Sequence, residues 1–189
     1  METVVKTNTT NNVPTIKGVF VNTHINQVRK KKGEECVKLL EKLYGKSIHF
    51  GYLEDVPIQE EIEIIKLCLH IISDKKIPEK DFEFEAGRFH FRNFTESPLG
   101  KLVFSYIPKN FKQIILHSKN LARHIFKNTN VSILDTGENS LVIKMENNNY
   151  PIEHFKGLFF EWMVFYGIHG QVNAKNINNI LYEYYLQWN

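Results

Sequence analysis

The hydrophobic period of this chain changes near residue 130, and that change constrains the fold more than any other feature. Before it, apolar side chains recur at three- and four-residue intervals; after it, stretches appear in which they alternate. The first spacing is that of a helix with one buried face and the second that of a pleated strand. The clearest helix starts at Pro57 and carries Ile58, Ile62, Ile65, Leu69 and Ile72 on one stripe. Proline suits a first helical turn. Glu60, Glu61 and Glu63 there complement the positive end of the helix dipole, so they read as solvated acids.

Upstream, residues 15–43 read as a short extended piece followed by helix, interrupted near Gly33. Downstream, helices are expected from Pro78 to about Thr95, briefly from Pro98, and over 108–128. The last of these carries Phe111, Ile114, Ile115, Leu121, Ile125 and Phe126. Val131 and Ile133 then alternate, as do Leu141, Ile143 and Met145, with Thr136-Gly137-Glu138-Asn139 between them, which is a hairpin pattern. Pro151 opens a helix bearing Phe155, Leu158, Phe159, Trp162 and Phe165, closed by Gly167 and Gly170. Two further strands are expected, near 169–174 and over 180–188. This is an α+β order: an N-terminal helical cap, then an antiparallel sheet of strand-strand-helix-strand-strand order with one helix on its face. A length of 189 residues fits one domain over 15–189, preceded by a polar arm over 1–14 with little to bury and expected to be disordered.

Composition excludes several functions. Net charge is only +3, which argues against a dedicated nucleic-acid binder. Arg88-Phe89-His90-Phe91-Arg92 interleaves cations and rings, but on a helix that alternation scatters around the axis. It is therefore structural, with Arg88 expected to pair with Glu85 or with an acid across the core. Cys36 and Cys68 lie far apart in helical patterns, outside any metal-ligand spacing, and read as small buried hydrophobes in a reducing compartment. No apolar run approaches the ~20 residues needed to span a bilayer, so a soluble cytoplasmic protein is expected. No nucleophile elbow, phosphate loop or dinucleotide fingerprint occurs, and the chain reads as non-enzymatic.

Several short motifs recur in order along the chain: Lys17-Gly18-Val19-Phe20, Gly87-Arg88 with Phe94, Gly100-Lys101, Lys109-Asn110-Phe111 and Gly157-Leu158. Together with the element order they resemble the heme–nitric oxide/oxygen binding (H-NOX) superfamily, and more closely its heme-free relatives common in myxobacteria. The resemblance covers about residues 15–188. Heme-binding members use a helix histidine as iron ligand, and the candidate is His117, with His124 two turns later. They hold the heme propionates with a Tyr-x-Ser-x-Arg motif. The corresponding positions here are Met145, Asn147 and Asn149, which offer no guanidinium fork for a carboxylate.

The resemblance therefore implies a heme-free bacterial signalling or regulatory module that binds a protein partner, itself included, or a small apolar ligand. The alternative is a heme-based gas or redox sensor with His117 on the iron. Arg29, Lys30, Lys31 and Lys32 form a compact cationic run, suited to an acidic partner. Ile114, Leu121, Phe155, Phe159 and Trp162 are the candidates for lining an apolar pocket, and no metal ligand beyond His117 is proposed.

Overall fold

A computed structural model describes residues 13–73, 76–106, 110–178 and 180–189. Strand β1 (Thr15–Lys17) runs directly into helix α1 (Gly18–Lys32). The glycine at that junction is a matter of space: a Cβ on Gly18 would lie 2.3 Å from the carbonyl oxygen of Gly51. Gly33, at φ +83°, breaks the helix, and α2 (Glu34–Tyr44) follows. Strand β2 (Asp55–Pro57) feeds α3 (Ile58–Ile72), and then come α4 (Glu79–Glu96) and α5 (Pro98–Tyr106). Helix α6 (Phe111–Ile125) is capped by Asn110, whose Oδ1 accepts the Gln113 N–H at 3.0 Å.

Helix α6 ends before the residue 128 expected from periodicity, because Phe126 and Lys127 form a two-residue strand, β3. It pairs with β1, and β1 pairs with β2, giving a small antiparallel sheet of order β2-β1-β3 that was not anticipated. The remainder matches the expected order. Strands β4 (Asn130–Gly137) and β5 (Ser140–Glu146) precede α7 (Ile152–Phe165), and β6 (Gly170–Asn178) and β7 (Leu181–Trp188) follow it. They form one antiparallel sheet of order β4-β5-β7-β6. The expected helix start at Pro108, Lys109 of the Lys109-Asn110-Phe111 motif and residues 1–12 of the expected arm over 1–14 lie outside the described residues.

Alternation puts Leu141, Ile143, Met145, Tyr184 and Leu186 on the inner face of this sheet, against Phe155 and Phe159 of α7. A second core gathers Ile16, Val21, Leu40, Ile64, Ile65 and Cys68 among the early helices. Cys68 is buried as expected, whereas Cys36 is only half-buried. The two halves meet where α4 crosses α7, and glycine makes that crossing close. A Cβ on Gly87 would fall 1.7 Å from the His154 carbonyl oxygen, and one on Gly157 would fall 2.0 Å from that of Phe84. Gly100 is equally confined, 1.8 Å from the Phe94 carbonyl oxygen. The four motif glycines that carry the family resemblance are thus all points where backbone meets backbone. No helix among the described residues is long and apolar enough to cross a membrane.

Candidate functional site: an apolar cavity beside a buried polar cluster

Helices α4, α5, α6 and α7 and the inner face of the sheet line a partly open cavity of about 140 Å³. The α6 stripe contributes Ile114 and Leu121 to its wall, and the α7 stripe Phe155, Phe159 and Trp162. Phe91, Phe94 and Phe104 close it from α4 and α5, and Ile143 and Met145 from the sheet. Phe165, on the same sequence stripe as Trp162, is instead 52% exposed and packs edge-on to Phe91 and tilted against Phe104. The polar members of the wall are His90, His117 and Ser118, and the Ser118 hydroxyl already donates to the Ile115 carbonyl at 2.6 Å. No lysine or arginine is among the described lining residues.

His117 lies on the cavity wall and is exposed, and His124 is exposed on the following turns of α6. Of the three positions aligned with the propionate motif, Met145 is buried in the cavity wall. Asn147 adopts φ +55° and donates its side-chain amide to the Asn128 carbonyl at 2.5 Å. The backbone carbonyl of Asn149 accepts from Gln59 Nε2 at 3.1 Å. The cationic run is the exposed end of α1: Arg29 Nε pairs with Glu34 at 2.7 Å and Lys30 with Glu96 at 3.7 Å. Lys31 and Lys32 complete it on the surface.

The cavity shares the His90 side chain with a second feature. His24 on α1, Glu61 on α3, His90 on α4 and His154 on α7 converge between the two cores, all buried. His24 Nε2 lies 3.2 Å and His90 Nε2 3.8 Å from Glu61 Oε1. The Tyr150 hydroxyl donates to Glu61 Oε2. His90 Nδ1 is 3.1 Å from His154 Nε2, and the Asn93 side-chain amide is 3.1 Å from His24 Nδ1. Burial governs the protonation of these groups, because charge is costly away from water. It pushes Glu61 up to about 7, His24 down to about 3 and His90 down to about 4, the last partly offset by the Glu61 charge. His154 is likewise held well below its ordinary value by burial, reinforced by His90.

Glu61 corrects the sequence expectation. Glu60 and Glu63 do face solvent or its margin, but Glu61 is fully buried and is no dipole ornament. The sequence held the signal: Glu61 stands three residues after Ile58 and four before Ile65, on the buried stripe itself. The segment around His90 places Arg88 as expected. Arg88 pairs with Glu85 at 2.9 Å and, across the helix crossing, with Glu161 at 2.7 Å.

No protein-family profile and no curated protein matches this chain. Solved structures do. An oxygen-binding H-NOX domain related to soluble guanylate cyclases, in its oxygen complex, superposes with a TM-score of 0.67 at 14% identity, over 92% of this chain and 95% of that one. A structure solved to examine H-NOX activation gives 0.66 at 16% identity, over 92% and 96%. The Fe(II) unliganded H-NOX protein from K. algicida gives 0.58 at 13%, over 92% and 97%. At these identities it is the architecture that is shared: an antiparallel sheet carrying α7, capped by the earlier helices, is the fold of the H-NOX domains.

Proposed function

We propose that this chain is a non-enzymatic signalling or regulatory module that takes a small apolar ligand, rather than heme, into the cavity between α6, α7 and the sheet. The cavity itself supports this reading. Enclosed apolar hollows of about 150 Å³ stay dry and accept benzene or xenon, whereas pockets for drug-sized molecules run to roughly 300–1,000 Å³. At about 140 Å³ the cavity is of the first size, and it is partly open along the α6 side where His117 is exposed. A tetrapyrrole is several times larger, and it would bring two carboxylates against a wall whose described members include no lysine or arginine. The residues do not fit heme, although His117 stands at the edge of the hollow. An occupant would wedge α6 and α7 apart or draw them together, and the exposed end of α1 with Arg29, Lys30, Lys31 and Lys32 is the surface on which an acidic partner protein would read the change.

The test is thermal unfolding against small apolar probes, benzene and xenon. Binding to the folded state alone raises stability by RT ln(1 + [L]/Kd), about 2.7 kcal/mol at one hundred times Kd. A concentration-dependent rise in Tm is expected, and it should vanish in Ala122→Phe, which fills the hollow from α6. Stoichiometric uptake of added hemin, giving a Soret band that His117→Ala abolishes, would replace this reading with that of a heme sensor.

A further inference from the structure

We propose that His24, Glu61 and His90 form a buried site for a divalent transition-metal ion, with zinc as the metal expected first. Each brings one ligating atom, and the three atoms lie within 4.8 Å of one another. In tetrahedral coordination at the usual zinc–nitrogen distance of 2.0–2.1 Å, neighbouring ligand atoms stand about 3.3 Å apart. The His24–Glu61 edge is already 3.2 Å and the His90–Glu61 edge 3.8 Å. Closing the triangle takes side-chain adjustment within the cluster.

The outer partners make the case stronger than proximity does. Metal-bound histidine characteristically has its other ring nitrogen hydrogen-bonded, which fixes ring orientation and tautomer. His90 Nδ1 has such a partner in His154 Nε2, and His24 Nδ1 has one in the Asn93 amide, each at 3.1 Å, although the Asn93 Nδ2 as placed donates to His24. The Asn93 amide presents its Nδ2 to His24 and leaves Oδ1 buried without a partner. Rotated by half a turn, Oδ1 accepts His24 Nδ1–H, and the Nε2 lone pair then faces Glu61. Tyr150 ties up Oε2 of Glu61 and leaves Oε1 as the ligand. So each candidate ligand atom is the one its outer hydrogen bond leaves available.

Charge points the same way. Glu61 is wholly buried, and the basic side chains facing its Oε1 are the imidazoles of His24 and His90 rather than a lysine or arginine. An ionised carboxylate so placed lacks the positive partner that buried charge requires. A divalent cation supplies it, while neutral imidazoles supply the lone pairs. Two histidines and one carboxylate leave a coordination position open, as in nitrogen/oxygen sites for zinc or iron(II). Because all three side chains are buried, the ion would be taken up as the chain folds.

The experiment uses the full chain and zinc. Protein purified from zinc-supplemented medium is assayed by elemental analysis. Protein refolded from denaturant with chelator is then titrated with zinc while Tm is followed, and with cobalt(II) while visible absorption is followed. We expect one zinc per chain, a Tm several degrees higher with zinc than with chelator, and the absorption of low-coordinate cobalt. Folded His24→Gln and His90→Gln should lose at least tenfold in zinc affinity, and His117→Ala should keep it. Less than a tenth of an equivalent in the wild-type protein by both routes, with a Tm indifferent to zinc and chelator, overturns the proposal even where the glutamine variants do not fold. Undiminished zinc affinity in folded His24→Gln and His90→Gln overturns it as well.

Discussion

Gly87→Ala is expected to destabilise this protein by more than about 4 kcal/mol, enough to leave the variant largely unfolded at ordinary growth temperature. Overpacked cores usually lose about 1–3 kcal/mol because side chains can rotate out of the way. Here the atoms met by the added methyl are backbone: the His154 carbonyl oxygen at 1.7 Å, its carbon at 2.7 Å and the Leu158 nitrogen at 2.9 Å. Relief requires separating α4 from α7. That separation breaks the Arg88–Glu161 pair and pulls His90 from His154. Gly157→Ala should do the same from the other helix, where the obstacle is the Phe84 backbone. The control is Gly33→Ala. A Cβ there meets open space, so only the backbone conformation matters; φ +83° with ψ 176° is a region essentially reserved for glycine, at about 1–3 kcal/mol. Urea unfolding midpoints decide the matter, and a Gly87→Ala protein within about 1 kcal/mol of wild type would mean that the helices do not cross this closely.

The second large effect is acid lability of chelator-treated protein. His24, His90 and His154 are held neutral by burial, with folded values below the unfolded value of 6.5. Groups of this kind contribute stability that is fully present above 6.5 and is lost as pH falls through the folded values. Glu61 acts in the opposite sense. Raised from 4.5 to about 7, it binds its proton more tightly in the folded state, so acidification from pH 7 to 4.5 relieves its burial. Three histidines outweigh one carboxylate. Unfolding between pH 6.5 and 4.5 should take up about two protons net, a loss of several kcal/mol over that interval. Lys66 adds to the repulsion at His154, and the Tyr150 hydroxyl donates to Glu61. The measurement is the urea midpoint as a function of pH, compared with His154→Phe, which removes one proton from the count. A flat profile over this range would show that the cluster is hydrated.

Most of the architecture could be read in advance because its stripes are long and its punctuation strong. Pro57, Pro78, Pro98 and Pro151 stand at or just before the starts of four helices, and alternation marks β4, β5 and β7. The strand β3 could not be read, because Ile125 and Phe126 continue the apolar spacing of α6 and two residues carry no period of their own. The walls of the cavity were legible as the inner faces of α6 and α7. The hollow was not, since a stripe says which way side chains face and nothing about whether opposing ones meet. The polar cluster was hidden by its composition. Glu61 sits where any helix favours an acid, His154 adjoins Phe155 in an aromatic run, and His24 lies on a helix whose buried face also holds Thr23 and Gln27. Four residues from four helices share no spacing in the chain.

The little sheet β2-β1-β3 has a mechanical consequence. Each of its strands is the root of a helix: β1 leads into α1 with His24, β2 into α3 with Glu61, and β3 is the continuation of α6, which walls the cavity. Thr15 is paired to Pro57 on one side and to Lys127 on the other, and Asp55 grips both Lys17 and Lys127. A displacement of α6 along its axis therefore tugs the footings of the two helices that carry His24 and Glu61. Beside the His90 side chain that both features share, this yoke is a second, backbone connection between the greasy chamber and the imidazoles.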